Sequence, residues 1–184
     1  MKKVLKHLKN NAAIYLVLIA CIVVICFAVF YKPKAELKEV DTSLFEVVDV
    51  DRTIKLFNDN TAKYLIISTA FDQTTASYVD HVRYAMITNG FTPYFLYQEK
   101  INFKKDKEKI EQLEELLNLE CTNGNQSKPI MEWVKEGVVP ITVIIKNKKP
   151  IYAYIGTINT TSIDSLSQAY GLGDNNQGKQ VEVA

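Results

Sequence analysis

The sequence predicts an α/β chain, one mixed sheet with helices on both faces, preceded by a helix long enough to span a membrane. Three observations carry this. Residues 63–68, KYLIIS, form a continuous apolar run, as expected of a strand buried on both faces, and a helical stripe follows it. Two further β runs, 141–146 and 151–155, flank a short Lys/Asn turn, with Pro140 directly before the first. From Ala12 to Tyr31 there is no charged residue at all.

The N-terminal run, AAIYLVLIACIVVICFAVFY, has 20 residues. At about 1.5 Å per helical residue it matches a hydrocarbon core roughly 30 Å thick. Tyr15 and Tyr31 sit near its ends, where aromatic rings prefer the interface. Lys2, Lys3, Lys6 and Lys9 precede it and the first acidic residue is Glu36, so the basic flank is expected in the cytoplasm and the following domain outside it. A cleaved signal peptide fits less well, because no A-x-A site follows. A lipoprotein is the minor alternative: Leu18-Ile19-Ala20-Cys21 is like a lipobox, but the next four residues stay apolar. The expected division is a basic tail over 1–11, the span over 12–31, a charged linker over 32–42, one domain over 43–172 and a polar, disordered tail over 173–184.

Within the domain the elements follow in order. Residues 43–48, SLFEVV, read as a strand, and Asp49 to Asp51 offer caps for a short helix over 52–58. The apolar strand 63–68 comes next. Residues 74–88 form a helix with Val79, Val82 and Met86 on one stripe, stopped at Asn89-Gly90. Residues 91–97 are a strand with Pro93 near its start. Residues 104–119 are an amphipathic helix burying Ile110, Leu113, Leu116 and Leu117. Residues 121–129, CTNGNQSKP, read as a polar loop, and 130–136 as a short helix ending at Gly137. Strands 141–146 and 151–155 and a helix over 162–170, stopped at Gly171, complete the order βαβαβαββα. A βαβ unit makes its strands parallel, and the closing ββ hairpin adds an antiparallel edge.

Charge is balanced, with 22 basic and 21 acidic residues, so no global field points to nucleic acid. Of three cysteines, Cys21 and Cys26 lie in the apolar run and only Cys121 belongs to the domain. That excludes an intrachain disulfide there, and no metal-ligand spacing or cofactor motif is present. Ser77, Asp80 and His81 share a helix, but a mid-helix serine has neither a nucleophile turn nor an oxyanion hole. Glu111, Glu114, Glu115 and Glu120 read as a solvated face. Asn125 and Asn159 each begin a glycosylation triplet, a pattern common by chance.

The Val139-Pro140 step, the strand after it, the turn, and the second strand ending at Gly156 resemble the thioredoxin-like superfamily, and the resemblance covers 43–171. Among its members the chain is most similar to membrane-anchored, extracytoplasmic ones, such as bacteriocin-transport accessory proteins. The resemblance implies a cis bond at Pro140, facing the turn after the second strand, with the backbone at Val139 free to pair with an extended client peptide. It also implies two cysteines at or near Asp72 and Thr75. Neither position can exchange a disulfide, and residues 27–120 contain no cysteine. The expected site is therefore a redox-inactive groove formed by Asp72, Gln73, Thr74, Thr75, Val139 and Pro140. Its occupant would be an extended peptide or protein partner outside the cytoplasm, and no enzymatic activity is expected. Asp72 is also the expected N-cap of the helix it precedes. The alternative is a thiol–disulfide oxidoreductase or redox sensor using Cys121. A third reading is a spacer subunit of an envelope assembly.

Overall fold

The computed structural model describes residues 17, 20–23 and 39–173. Most of the expected span 12–31, the expected linker up to residue 38 and nearly all of the expected tail 173–184 lie outside the described residues. Residues 17 and 20–23 are helical, with Val17, Ile22 and Val23 exposed. Among the described residues no helix is long and apolar enough to cross a membrane.

The domain begins with β1 (Glu46–Val48), shorter than the expected 43–48 because the Phe45 amide donates to the Thr42 carbonyl at 2.9 Å and turns the chain first. Helix α1 (Val50–Lys55) is capped by Asp49, whose carboxylate accepts the Arg52 amide at 2.7 Å. Strand β2 (Lys63–Ser68) is buried at every position. Helix α2 (Gln73–Asn89) ends at Gly90 in the left-handed conformation, φ 69°. Strand β3 (Pro93–Tyr97) starts at its proline and runs into a single 3-10 turn, Gln98–Lys100. Helix α3 (Lys107–Leu116) is shorter than the expected 104–119. The Asn102 side chain accepts the amides of Lys104 and Lys105 at 3.2 and 3.1 Å, which holds those residues in a turn before the helix.

The polar loop expected over 121–129 is instead a hairpin, β4 (Glu120–Asn123) and β5 (Gln126–Pro129), and this corrects the element order. Its two-residue turn is Gly124-Asn125, with Gly124 at φ 59°. After α4 (Ile130–Lys135) come β6 (Ile141–Lys146) and β7 (Lys149–Ile155). They are joined by Asn147 and Lys148 at φ 53° and 62°, both left-handed as a type I′ turn requires. Helix α5 (Thr160–Tyr170) is capped by Asn159, whose side chain accepts the Ser162 amide at 2.8 Å, and it stops at Gly171.

The five long-range strands form one sheet in the order β1-β3-β2-β6-β7. β1, β3 and β2 are parallel, and β6 and β7 are antiparallel additions. The β4–β5 hairpin is a separate two-stranded sheet, packed beside β7. This is the mixed sheet expected of a thioredoxin-like fold. Alternation along each strand divides the core in two. Leu65, Ile67, Leu96, Ile141 and Val143 pack under α1, α3 and α4 with Leu56, Ile110, Leu113 and Trp133. Tyr64, Ile66, Phe95 and Ile144 pack under α2 and α5 with Val79, Val82 and Ile163. At about 1.5–3 kcal/mol for each fully buried aliphatic side chain, these two layers outweigh the exposed ion pairs, which contribute about 1 kcal/mol or less apiece.

Two local devices fix the chain ends of the sheet. The Lys146 ammonium donates to the Tyr170 carbonyl at 2.7 Å, placing a cation at the C-terminal end of α5. Gly173, at φ 94°, passes so close to α2 that a Cβ there would lie 2.2 Å from the Asn89 carbonyl oxygen.

At the start of β2, Lys63 is buried and reaches the Asp59 carboxylate, which also accepts from the Thr61 amide (2.9 Å) and hydroxyl (2.5 Å). The hydrogen bond from Lys63, then that from the Thr61 hydroxyl, holds the Asp59 carboxyl down at about 2, below its ordinary 3.8. A depressed carboxyl stabilises the fold above its unfolded value and loses that contribution as pH falls. Asp59→Asn is therefore expected to lower stability at pH 7. Because the Asp59 side chain is 56% exposed, the loss is about 1 kcal/mol or less. Urea unfolding should show the wild type and variant converging as pH drops from 3.8 towards 2.

Candidate binding groove

The expected site residues meet at one end of the sheet. β2 and β6 are antiparallel with Ile67 opposite Ile141, so the next positions put Ser68 across from Pro140. The Ser68 hydroxyl lies 2.6 Å from that of Thr75, in the first turn of α2. Asp72 caps the same turn: one carboxylate oxygen accepts the Thr75 amide at 2.6 Å and the Thr75 hydroxyl at 2.5 Å. Because the carboxylate can only accept, Thr75 donates to Asp72 and takes its second bond from Ser68. The chain Ser68–Thr75–Asp72 thus ties β2 to α2, and both hydroxyl residues are fully buried.

Thr75 is therefore an internal brace, not a surface group. Gln73 and Thr74 are exposed, and their amides belong to the first turn, where no helical carbonyl is available to them. Phe71, directly before Asp72, is 54% exposed, unusually high for a phenylalanine. Ser68 and Phe71 stand beside the expected residues. The only hint of Ser68 was a hydroxyl closing an otherwise apolar run.

Across from this turn, the Val139–Pro140 peptide is cis. The Gly137 amide donates to the Val134 carbonyl at 3.1 Å and the Val138 amide to the Trp133 carbonyl at 3.0 Å. The Pro140 carbonyl accepts the Gly156 amide at 2.8 Å. Between these anchors Val139 is half-buried and its N–H and C=O make no hydrogen bond among the described residues. The wall opposite the α2 N-terminus thus carries a backbone donor and acceptor held in place and unused.

Deeper under α2, the Tyr78 hydroxyl touches that of Tyr64 and lies 2.5 Å from the Thr142 hydroxyl. Burial pushes both phenols upward, so they remain neutral and serve as hydrogen-bonding groups.

Cys121 is placed differently from the sequence reading. It sits in β4, is 4% exposed, and comes within hydrogen-bonding range of the Ile155 amide. Ile155 pairs with Ile141, next to Pro140, so the thiol lies towards the groove end of β7 and not in a polar loop. Burial raises its pKa, with the Thr122 and Ile155 amides opposing weakly. That environment disfavours the thiolate. Trp133 closes over it, its indole N–H donating to the Cys121 carbonyl at 2.8 Å.

The remaining candidates are occupied structurally. Asp80 binds Arg83 at 2.7 Å, and His81 Nδ1 lies 3.2 Å from the Thr160 hydroxyl, so Ser77, Asp80 and His81 do not align. Glu114 pairs with Lys135 at 2.7 Å, and Glu120 accepts from Ser127 at 3.1 Å. Among the described residues no group of three His, Cys, Asp or Glu side chains could hold a metal ion.

No protein-family model and no curated protein matches the chain. Solved structures similar to it include chloroplastic thioredoxin z (8% identity, TM-score 0.46, covering 69% of this chain and 94% of that one). Fasciola hepatica thioredoxin is similar at 11% identity and TM-score 0.43, over 68% and 99%. Chlamydomonas reinhardtii thioredoxin f2 is similar at 10% and 0.43, over 74% and 99%. At these scores it is the strand order of the chain itself that carries the fold.

Two outcomes follow from the geometry. Thr75→Val keeps the shape but strands the buried Ser68 hydroxyl and one Asp72 bond. It should reduce stability by about 1–3 kcal/mol in urea unfolding, whereas Thr75→Ser, which keeps the hydroxyl, should lose less. Iodoacetamide should label Cys121 far more slowly in the folded chain than in the same chain unfolded in guanidinium, as read by mass spectrometry of the Cys121 peptide after digestion.

Proposed function

We propose that this chain is a redox-inactive, thioredoxin-like binding module that holds an extended segment of a peptide or protein partner. The observation that carries the reading is the unused backbone of Val139, fixed at the rim of the sheet opposite the first turn of α2. An extended peptide laid along Val139 would take its N–H and C=O in short antiparallel pairing. Exposed Gln73 and Thr74 supply polar contacts from the other wall, and Phe71 an apolar one. Thiol exchange has no agent in this groove, because Asp72 and Thr75 stand where the resemblance implies cysteines. Residues 12–31 would anchor the module in a membrane, with the groove outside the cytoplasm.

A second reading, thiol chemistry at Cys121, draws on its position near Ile155, but burial and the raised pKa oppose it. Loss of a measured reductase or isomerase activity on Cys121→Ser would favour that reading.

The binding reading is tested by a photo-crosslinking amino acid placed at Gln73 in the full chain and, as a control, at Glu111 on the exposed face of α3. Gln73 should capture peptides from an array of short extended sequences and Glu111 should not. N-methylation of the peptide at the residue facing Val139 should weaken capture about tenfold, the loss of one well-made hydrogen bond. Equal capture at both positions, or none, would overturn the reading.

A further inference from the structure

The loop between β2 and α2, residues 69–72, carries Phe71 and Asp72 into the groove, and two hydrogen bonds fix its middle. The Ala70 amide donates to the Glu99 carboxylate at 2.9 Å, and the Ala70 carbonyl accepts the Val40 amide at 2.9 Å. The second of these comes from the segment that leads into the domain. That segment is pinned along its length. Val40 is 3% exposed, its side chain in the core beneath α2. Arg83 of α2 donates to the Asp41 carbonyl at 3.0 Å and its carboxylate at 2.9 Å, with its other nitrogen held by Asp80 at 2.7 Å. The Thr42 hydroxyl lies 3.0 Å from that of Tyr97, and Phe45 packs on Phe95 with ring centroids 6.4 Å apart.

We propose that residues 39–45 are a strap that governs the groove; this rests on the binding reading above. Seated, the strap fixes Ala70 and, one and two residues later, Phe71 and Asp72. Lifted from Arg83 and from the Val40 socket, it leaves Ala70 with the Glu99 bond alone and loosens Phe71, while Asp72 stays tied to Thr75. Val40, Asp41 and Thr42 contact α2, β3 and the loop, whereas β6 and β7 lie beyond β2 in the strand order. Release is therefore a local event that leaves the sheet intact. Coupling of this kind runs both ways: a peptide in the groove stabilises the seated strap to the same degree that the strap favours the peptide.

The test is hydrogen–deuterium exchange by mass spectrometry on the full chain, alongside peptide capture at Gln73. Arg83→Gln removes both bonds to Asp41, and Asp41→Ala removes the carboxylate contact from the strap side. Each should speed exchange in 39–45 and 69–72 by roughly tenfold, the scale of one lost charge-assisted hydrogen bond, and leave β6 and β7 unchanged. Peptide capture should fall in step. Unchanged β6 and β7 exchange also shows that the variants are folded. Faster exchange in 39–45 with none in 69–72 would overturn the strap. If the wild type captures no peptide while 69–72 still follows 39–45, the coupling stands and the binding reading falls.

Discussion

The contact on which the candidate groove depends is the double hydrogen bond of Thr75, taken from Ser68 and given to Asp72. It fixes where α2 begins relative to the end of β2, and so the distance between the two walls. It also settles how the helix N-terminus is used. The first turn of a helix presents unpaired N–H groups and a partial positive charge. In a thiol enzyme that charge stabilises a thiolate. Here a carboxylate already occupies it, so the favourable interaction is invested in holding the backbone.

Much of the fold was legible because it is written in local patterns. The apolar run of β2, the stripe of α2, the stops at Gly90 and Gly171 and the extent of β6 need only neighbours in sequence to be read. Asp72 was recognisable as a cap for the same reason, its carboxylate needing to reach only three residues ahead. The expectation that Asp72–Thr75 would meet Val139–Pro140 rested on the thioredoxin-like resemblance, and the β2–β6 register places them at one end of the sheet.

What escaped notice depends on distant partners. The β4–β5 hairpin has exposed polar residues at most positions, so no alternation marks it; it is fixed instead by Trp133, twelve residues from Cys121. Cys121 looked like a loop residue until the hairpin folded it against Ile155. Ser68 matters only because Thr75 returns to it, and the segment around Val40 only because Arg83 and Ala70 meet it across the fold. A chain of single residues cannot announce such pairings by spacing alone.

The margins of the sheet give the fold one more property. On one flank β1 offers only three residues. On the other, β7 begins beside Pro150, which has no amide to donate, is out of step with β6 between Ile144 and Ile145, and has the β4 hairpin alongside. Lateral recruitment of a stranger's strand is therefore discouraged on both sides. The unpaired main chain at Val139 stands instead before β6, an interior strand, so what the sheet leaves open lies at its end and not along its margins, where copy upon copy could stack.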